Sequence, residues 1–354
     1  MRGDQLFVGI DSGTQGTKAV LFSPGRGKIV AEASVPHRII ENNAGRREQE
    51  PNWWIDACTK ALHEVLQGEG VKREYIRAIG VSGQQHGFVP LDGRGEVIRP
   101  AKLWCDTETA PQCHEITSKV GGRDKVISLI GNSVAAGFTA SKILWMKQHE
   151  PENYDRLETI LLPHDYINYW LTGEKKSEFG DASGTAYFDV RTRSWSKAIL
   201  EAIDDSGKLE SCLPELIPSE APVGTIRSHI AERFQLPSDV LVSSGGGDNM
   251  MAAIGTGNVH PGIITMSLGT SGTIYAFADH PVVDPNGELA AFCSSSGGWL
   301  PLACTMNVTV ATELTRAMLG LNLKELNGKA SSAPIGSEGI ILLPYFNGER
   351  TPPL

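Results

Sequence analysis

The sequence predicts an α/β chain of two domains built on mixed sheets, and three observations predict it. At about 150 residues per domain, 354 residues supply two cores. The chain opens with three strand-like runs in succession, and strands then alternate with segments of helical spacing. Leu6 to Ile10 is apolar and β-branched, Lys18 to Phe22 is a second such run, and Pro24-Gly25-Arg26-Gly27 turns the chain into a third, Lys28 to Val35. From Pro51 the spacing becomes helical, with Trp54, Cys58, Leu62 and Val65 or Leu66 on one face; Ile76 to Val81 then reads as a buried strand. Phe138 to Glu150 reads as a helix stopped by Pro151, and Asp165 to Leu171 lies in a further apolar-periodic segment. Near Asp239 to Ser244 a strand runs into Gly245-Gly246-Gly247-Asp248 and a helix beginning Asn249-Met250-Met251-Ala252. The domain boundary is placed there, giving residues 1–247 and 248–354.

Gly13-Thr14-Gln15-Gly16-Thr17 and Gly269-Thr270-Ser271-Gly272-Thr273 share the pattern G-T-x-G-T. Each follows a strand-like stretch and precedes an apolar run ending in phenylalanine, Phe22 and Phe277, so the halves read as two versions of one βββ unit. Such a turn either makes a tight hairpin or offers backbone N–H groups and hydroxyls to phosphate oxygens. Its recurrence favours phosphate binding, two turns holding the phosphates of one nucleotide.

Composition excludes several classes. With 32 Lys+Arg against 41 Asp+Glu the formal charge is −9, and no basic cluster is present, which argues against a nucleic-acid partner. No apolar run approaches the roughly 18 residues needed to span a bilayer, and the N-terminal stretch lacks the apolar segment of a signal peptide, so a soluble, cytoplasmic protein is expected. The six cysteines are scattered without a C-x-x-C pair and are expected to be reduced packing residues. A Walker A loop, H-E-x-x-H and an EF-hand are all missing, so any metal is expected to arrive with the nucleotide.

Single residues carry further candidates. Asp11 ends the first strand beside its turn, where a carboxylate either caps the turn or holds Mg²⁺ through water. Asp248 lies between a strand and a helix, where it can take a hydroxyl proton during phosphoryl transfer or cap the helix. Gln84-Gln85-His86-Gly87 follows a strand and can offer amide and imidazole donors to a polyol, and Trp104-Cys105-Asp106 sets an aromatic face beside a carboxylate, a pairing suited to sugars.

Together these segments resemble the FGGY carbohydrate kinases. Gly9-Ile10-Asp11-Ser12-Gly13-Thr14 is similar to the family's first phosphate loop, and Gly137-Phe138-Thr139-Ala140-Ser141-Lys142-Ile143-Leu144-Trp145 looks like its first signature. Gly245-Gly246-Gly247-Asp248-Asn249 looks like the segment bearing the catalytic aspartate, Ser267 to Thr273 like the second phosphate loop, and Gly348-Glu349-Arg350-Thr351-Pro352 like a later family segment. The resemblance implies an actin-like, ribonuclease-H-like fold, two domains with a βββαβαβα core closing on ATP and sugar.

It also implies roles: Asp248 as base, Asp11 at the Mg²⁺–phosphate site, and Gln85, His86, Trp104, Asp106 and Asn249 around the sugar. Gly13, Thr14, Thr17, Lys18, Gly269, Thr270, Ser271 and Gly272 then bind ATP. Gln85-His86-Gly87 looks like the loop version that takes D-xylulose, to be phosphorylated on O5, although Trp104-Cys105-Asp106-Thr107-Glu108 departs from the W-N-D-arginine of many relatives. Family members continue beyond the G-E-R-T-P-like segment, so the second domain is expected to be incomplete, lacking the adenosine segment and exposing apolar surface. Three other readings stay open: a kinase for ribulose, glycerol or another polyol, a sugar-binding fragment without turnover, and a nucleotide-driven conformational switch. A homodimer is the family expectation for its assembly.

Overall fold

The computed structural model describes residues 5–345 and 348–349. Strands β1 (Leu6–Ser12), β2 (Gly16–Ser23) and β3 (Lys28–Pro36) form an antiparallel meander. Helix α1 (Pro51–Leu66) begins with proline in its first turn, where the missing N–H costs nothing. Trp54, Cys58, Leu62 and Val65 recur at helical spacing and are buried in one core with Leu21 and Ala33 of the meander. β4 (Ile76–Gly83) returns to lie parallel to β1. Helix α2 (Thr139–His149) starts one residue later than expected, with Phe138 as its cap, and ends before Pro151. Helix α3 (Pro163–Thr172) and the single turn α4 (Phe179–Ala182) follow.

β5 (Pro222–Thr225) and β6 (Leu241–Ser243) complete one edge, giving the order β5-β6-β4-β1-β2-β3. β6 runs parallel to β4, breaks at Ser244-Gly245, and resumes as β7 (Gly246–Gly247) on the same neighbour. Gly245 makes the break: its φ is +65°, and a Cβ there would lie 2.0 Å from the Val81 carbonyl oxygen. Helix α5 (Asp248–Gly255) leaves directly from β7.

The second half carries its own antiparallel sheet of β8 (Ile264–Leu268), β9 (Gly272–Ala276), β10 (Ala290–Cys293) and β11 (Trp299–Thr305), in the order β8-β9-β11-β10. Helix α6 (Thr309–Met318) follows it. The third strand beside the hairpin is thus β11, not the next strand in sequence. The two hairpins also differ in register: Ser12 pairs with Thr17, whereas Leu268 pairs with Gly272. The first turn closes from Gly13 N–H to the Gly16 carbonyl, the second from Gly269 N–H to the Ser271 carbonyl. A one-residue offset exchanges the faces to which side chains point, so the turns are not superposable copies.

β8 lies at a sheet edge with Ile264, Met266 and Leu268 each at least 60% exposed. Cys58, Cys105, Cys113, Cys212 and Cys293 are free thiols, all at least half-buried. Among the described residues no helix is long and apolar enough to cross a membrane.

Candidate active site

Neighbouring strand ends form the floor of the site. Asp11 of β1 pairs with Ser82 of β4, which pairs with Gly246 of β7; in the next row Ser12 pairs with Gly83 and Gly83 with Gly247. Asp248 follows Gly247, so Asp11 and Asp248 stand at one sheet edge, two strand spacings of about 4.8 Å apart. Ser82 Oγ donates to Asp11 Oδ1 at 2.8 Å. The oxygen-rich donors at this edge, an exposed carboxylate with a hydroxyl beside it, suit a hard divalent cation.

Asp248 is the first residue of α5, after Gly247 as the cap, so its carboxylate stands at the helix start. Its Oδ1 accepts from the Asn249 backbone N–H at 2.8 Å and from Asn249 Nδ2 at 3.1 Å. Water reaches the carboxylate from the cleft, yet the surrounding protein limits its hydration. That desolvation, reinforced by the negative charges of Asp181 and Asp11, outweighs the Asn249 hydrogen bonds and pushes the pKa up to about 7. Asn249 Nδ2 also donates to Gln85 Oε1 at 2.7 Å, and Asn249 Oδ1 accepts from Thr273 Oγ1 at 3.1 Å. The fold therefore joins Asp248, Asn249, Gln85 and the last threonine of the second turn in one polar chain.

His86 is buried, with φ +61°, its ring 4.9 Å from that of Phe138 and 5.4 Å from that of Phe292. A non-glycine residue in the left-handed region costs about 1 kcal/mol, and three side chains offset that cost. Asp181 Oδ1 accepts from the His86 backbone N–H at 3.3 Å, while Lys142 Nζ at 2.7 Å and Thr139 Oγ1 at 3.1 Å donate to the His86 carbonyl. Burial brings the Lys142 ammonium down to about 7, against the raising influence of Asp106. Lys142 and Thr139 belong to the segment singled out as a signature; the sequence marked the segment but not these contacts.

The first turn is held by side chains that the sequence assigned to ligands. Thr14 Oγ1 donates to Gln84 Oε1 at 3.0 Å and accepts from the Trp104 indole N–H at 2.9 Å, so its hydroxyl serves to fix Trp104. Thr17 is fully buried, its hydroxyl bonded to Ser12 Oγ at 3.0 Å and His37 Nε2 at 2.9 Å. This corrects the expectation that its hydroxyl faces phosphate, because the register of β2 turns the side chain inward. Lys18 is exposed opposite Asp11. In the second turn, the Gly269 and Thr270 carbonyls accept from backbone N–H groups of Thr309 and Val308 at the start of α6, at 3.0 and 3.2 Å. Ser271 is exposed, and Gly272 opens β9.

Asp106 is also corrected. It is wholly buried, its Oδ2 accepting from Arg47 N–H at 2.9 Å and Lys102 Nζ at 3.2 Å, its Oδ1 from Glu108 N–H at 3.1 Å. Among the described residues, Glu48, Asp106 and Glu108 form the one acidic cluster compact enough for an ion. The Lys102 ammonium already fills that place, 3.2 Å from Glu48, 3.2 Å from Asp106 and 2.6 Å from Glu108. Asp106 thus supports the Trp104 loop from behind and does not face the cleft. Of the Gly348–Pro352 segment, Glu349 accepts from Thr305 Oγ1 at 2.6 Å and Met306 N–H at 2.7 Å; residues 350–352 lie outside the described residues.

Residues 6–255 match the model of the FGGY family of carbohydrate kinases, N-terminal domain. The chain is 45% identical to the xylulose kinase of Haemophilus influenzae over 353 residues, covering 99% of this chain and 72% of that protein. It is 39% identical to the xylulose kinase of Streptomyces rubiginosus, covering 99% and 68%. The crystal structure of the xylulose kinase from Bifidobacterium adolescentis superposes with a TM-score of 0.85 at 30% identity, covering 99% of this chain and 74% of that one. A sheet of mixed strands with a glycine-rich hairpin turn at the end of its meander is thus the actin-like scaffold of a sugar kinase. The chain belongs to the FGGY family of carbohydrate kinases.

Proposed function

We propose that the chain transfers the γ-phosphoryl group of ATP to the O5 hydroxyl of D-xylulose, with Asp248 as the base. The observation that carries this reading is the placement of Asp248, desolvated and joined through Asn249 to Gln85, on the same sheet edge as Asp11. The relatives named as xylulose kinases support the choice of sugar. Asp248 receives the hydroxyl proton as the oxygen attacks phosphorus, and a pKa near neutrality suits a base that must accept a proton and later release it. Gln85, Asn249, His86 and the face of Trp104 orient the sugar, and Asp106 acts on that loop only through Lys102 and the backbone. The backbone of both glycine turns, with Lys18, Thr270 and Ser271, lies toward the phosphates, and Asp11 would hold the Mg²⁺ that ATP brings. That ion, when bound, neutralises charge on the phosphate oxygens. We place the boundary between the two domains at residues 247 and 248, where β7 meets α5.

Steady-state rates for D-xylulose, D-ribulose and glycerol, with ³¹P NMR of the product, test the proposal. A kcat/KM for D-xylulose at least ~10-fold above the others is expected, because a site built to bond particular hydroxyls rejects analogues that leave its polar groups unpaired. Equal or faster turnover of ribulose or glycerol, or ATP hydrolysis indifferent to any acceptor, overturns it.

A further inference from the structure

Beyond the charge that Asp181 sets near Asp248, the mechanism above leaves a buried chain of titratable groups unused. Asp181, on α4, is fully buried with two histidines on its carboxylate. Its Oδ1 lies 3.3 Å from both the backbone nitrogen and Nδ1 of His86, and its Oδ2 lies 2.9 Å from Nδ1 of His164. His164 Nε2 in turn lies 3.0 Å from Asp165 Oδ1. The carboxylate is itself rigidly placed, because Glu178 caps α4 by accepting from Gly180 N–H at 2.7 Å and Asp181 N–H at 2.5 Å, and also from Ser295 Oγ at 3.1 Å. Gly184, three residues after Asp181, packs against the same imidazole: a Cβ there would lie 1.8 Å from Cε1 and 2.1 Å from Nδ1 of His86.

We infer that Asp181 and Gly184 are positioning residues for sugar recognition, Asp181 fixing the backbone and ring of His86 and Gly184 leaving the space its ring occupies. The inference rests on the reading of His86 as a sugar ligand. A histidine held in the left-handed region by contacts from α2 and α4 is over-determined, which is what a ligand-orienting group requires and a simple core residue does not. Asp181 stays ionised where it meets the ring. Burial alone would raise its carboxyl, but the hydrogen bonds from His164 and His86 prevail and hold it at about 2. An ionised carboxylate 3.3 Å from Nδ1 of His86 favours a proton on that nitrogen and so biases how the ring is presented.

Asp181→Asn and Gly184→Ala, each alone and combined with His86→Ala, test this in the full chain by steady-state kinetics and by calorimetric titration with D-xylulose. Gly184 does not have a positive φ, so alanine meets the His86 ring and not a forbidden backbone, which keeps the test open if Asp181→Asn fails to fold. Each single variant should raise KM and Kd for D-xylulose ~10-fold, with KM for ATP unchanged and kcat within about threefold. In the His86→Ala background Gly184→Ala should add no more than about twofold, and Asp181→Asn should add clearly less than it costs alone, since only its contact to the backbone N–H at position 86 remains. Unchanged sugar affinity in folded variants, or penalties that persist undiminished without the His86 ring, overturn the inference. If the wild-type chain phosphorylates another acceptor and not D-xylulose, the substrate reading fails, and the same cycle on that acceptor still decides the positioning role.

Discussion

Acidification should silence this kinase through one carboxylate. Desolvation in the cleft, with the charges of Asp181 and Asp11 nearby, pushes Asp248 up to about 7. A base with that pKa is half ionised at about pH 7, about one-tenth at pH 6 and about one-hundredth at pH 5, so kcat/KM should fall tenfold per unit below neutrality. Initial rates of ADP formation with D-xylulose in buffers from about pH 5 to about pH 9 read this limb directly. Asp248→Asn should abolish the limb and lower kcat at least ~10²-fold, the usual scale for a lost general base. The same shift has a thermodynamic sign. The native state holds a proton on Asp248 that the unfolded chain has already lost, so between about pH 4 and pH 7 stability falls as pH rises. Asp248→Asn should therefore melt above the wild type at about pH 8 and level with it near pH 4. A rate limb near the ordinary carboxylate range, or an asparagine variant that keeps more than about a tenth of its turnover, refutes the assignment.

Two further outcomes follow from the corrected site. Asp106→Asn should lower stability by about 3–5 kcal/mol in urea unfolding, because it leaves the buried Lys102 short of a charge, while KM for D-xylulose stays within about twofold; a tenfold rise in KM with unchanged stability would return Asp106 to the sugar site. Gly245→Ala should cost both stability and kcat, since a Cβ 2.0 Å from the Val81 oxygen forces the β6–β7 break apart; wild-type kcat would show that this break does not place Asp248.

Local physics made much of the protein legible in its sequence. The meander β1–β3, α1 with its Trp54-Cys58-Leu62 face, and the strand–glycine–helix passage into Asp248 each depend on residues a few positions apart, whose alternation, spacing or turn chemistry states their conformation. The resemblance of several short segments to one family was legible for the same reason. What neighbouring residues cannot encode is partnership across the chain. That the Thr17 hydroxyl meets Ser12 and His37 while that of Thr273 meets Asn249 depends on what the rest of the chain packs against each hairpin, which two identical G-T-x-G-T patterns do not reveal. Asp106 read as a cleft carboxylate until Lys102, Glu48 and Glu108 closed around it. Asp181 and His164 carried no signal at all, because their importance lies in meeting His86, a residue far away in sequence that only the packing of α2, α3 and α4 behind the end of β4 brings within bonding distance. Propensity and pattern act over a few residues, whereas desolvation and charge pairing act through space, so the tertiary structure alone decided which polar side chains face the substrate and which hold those that do.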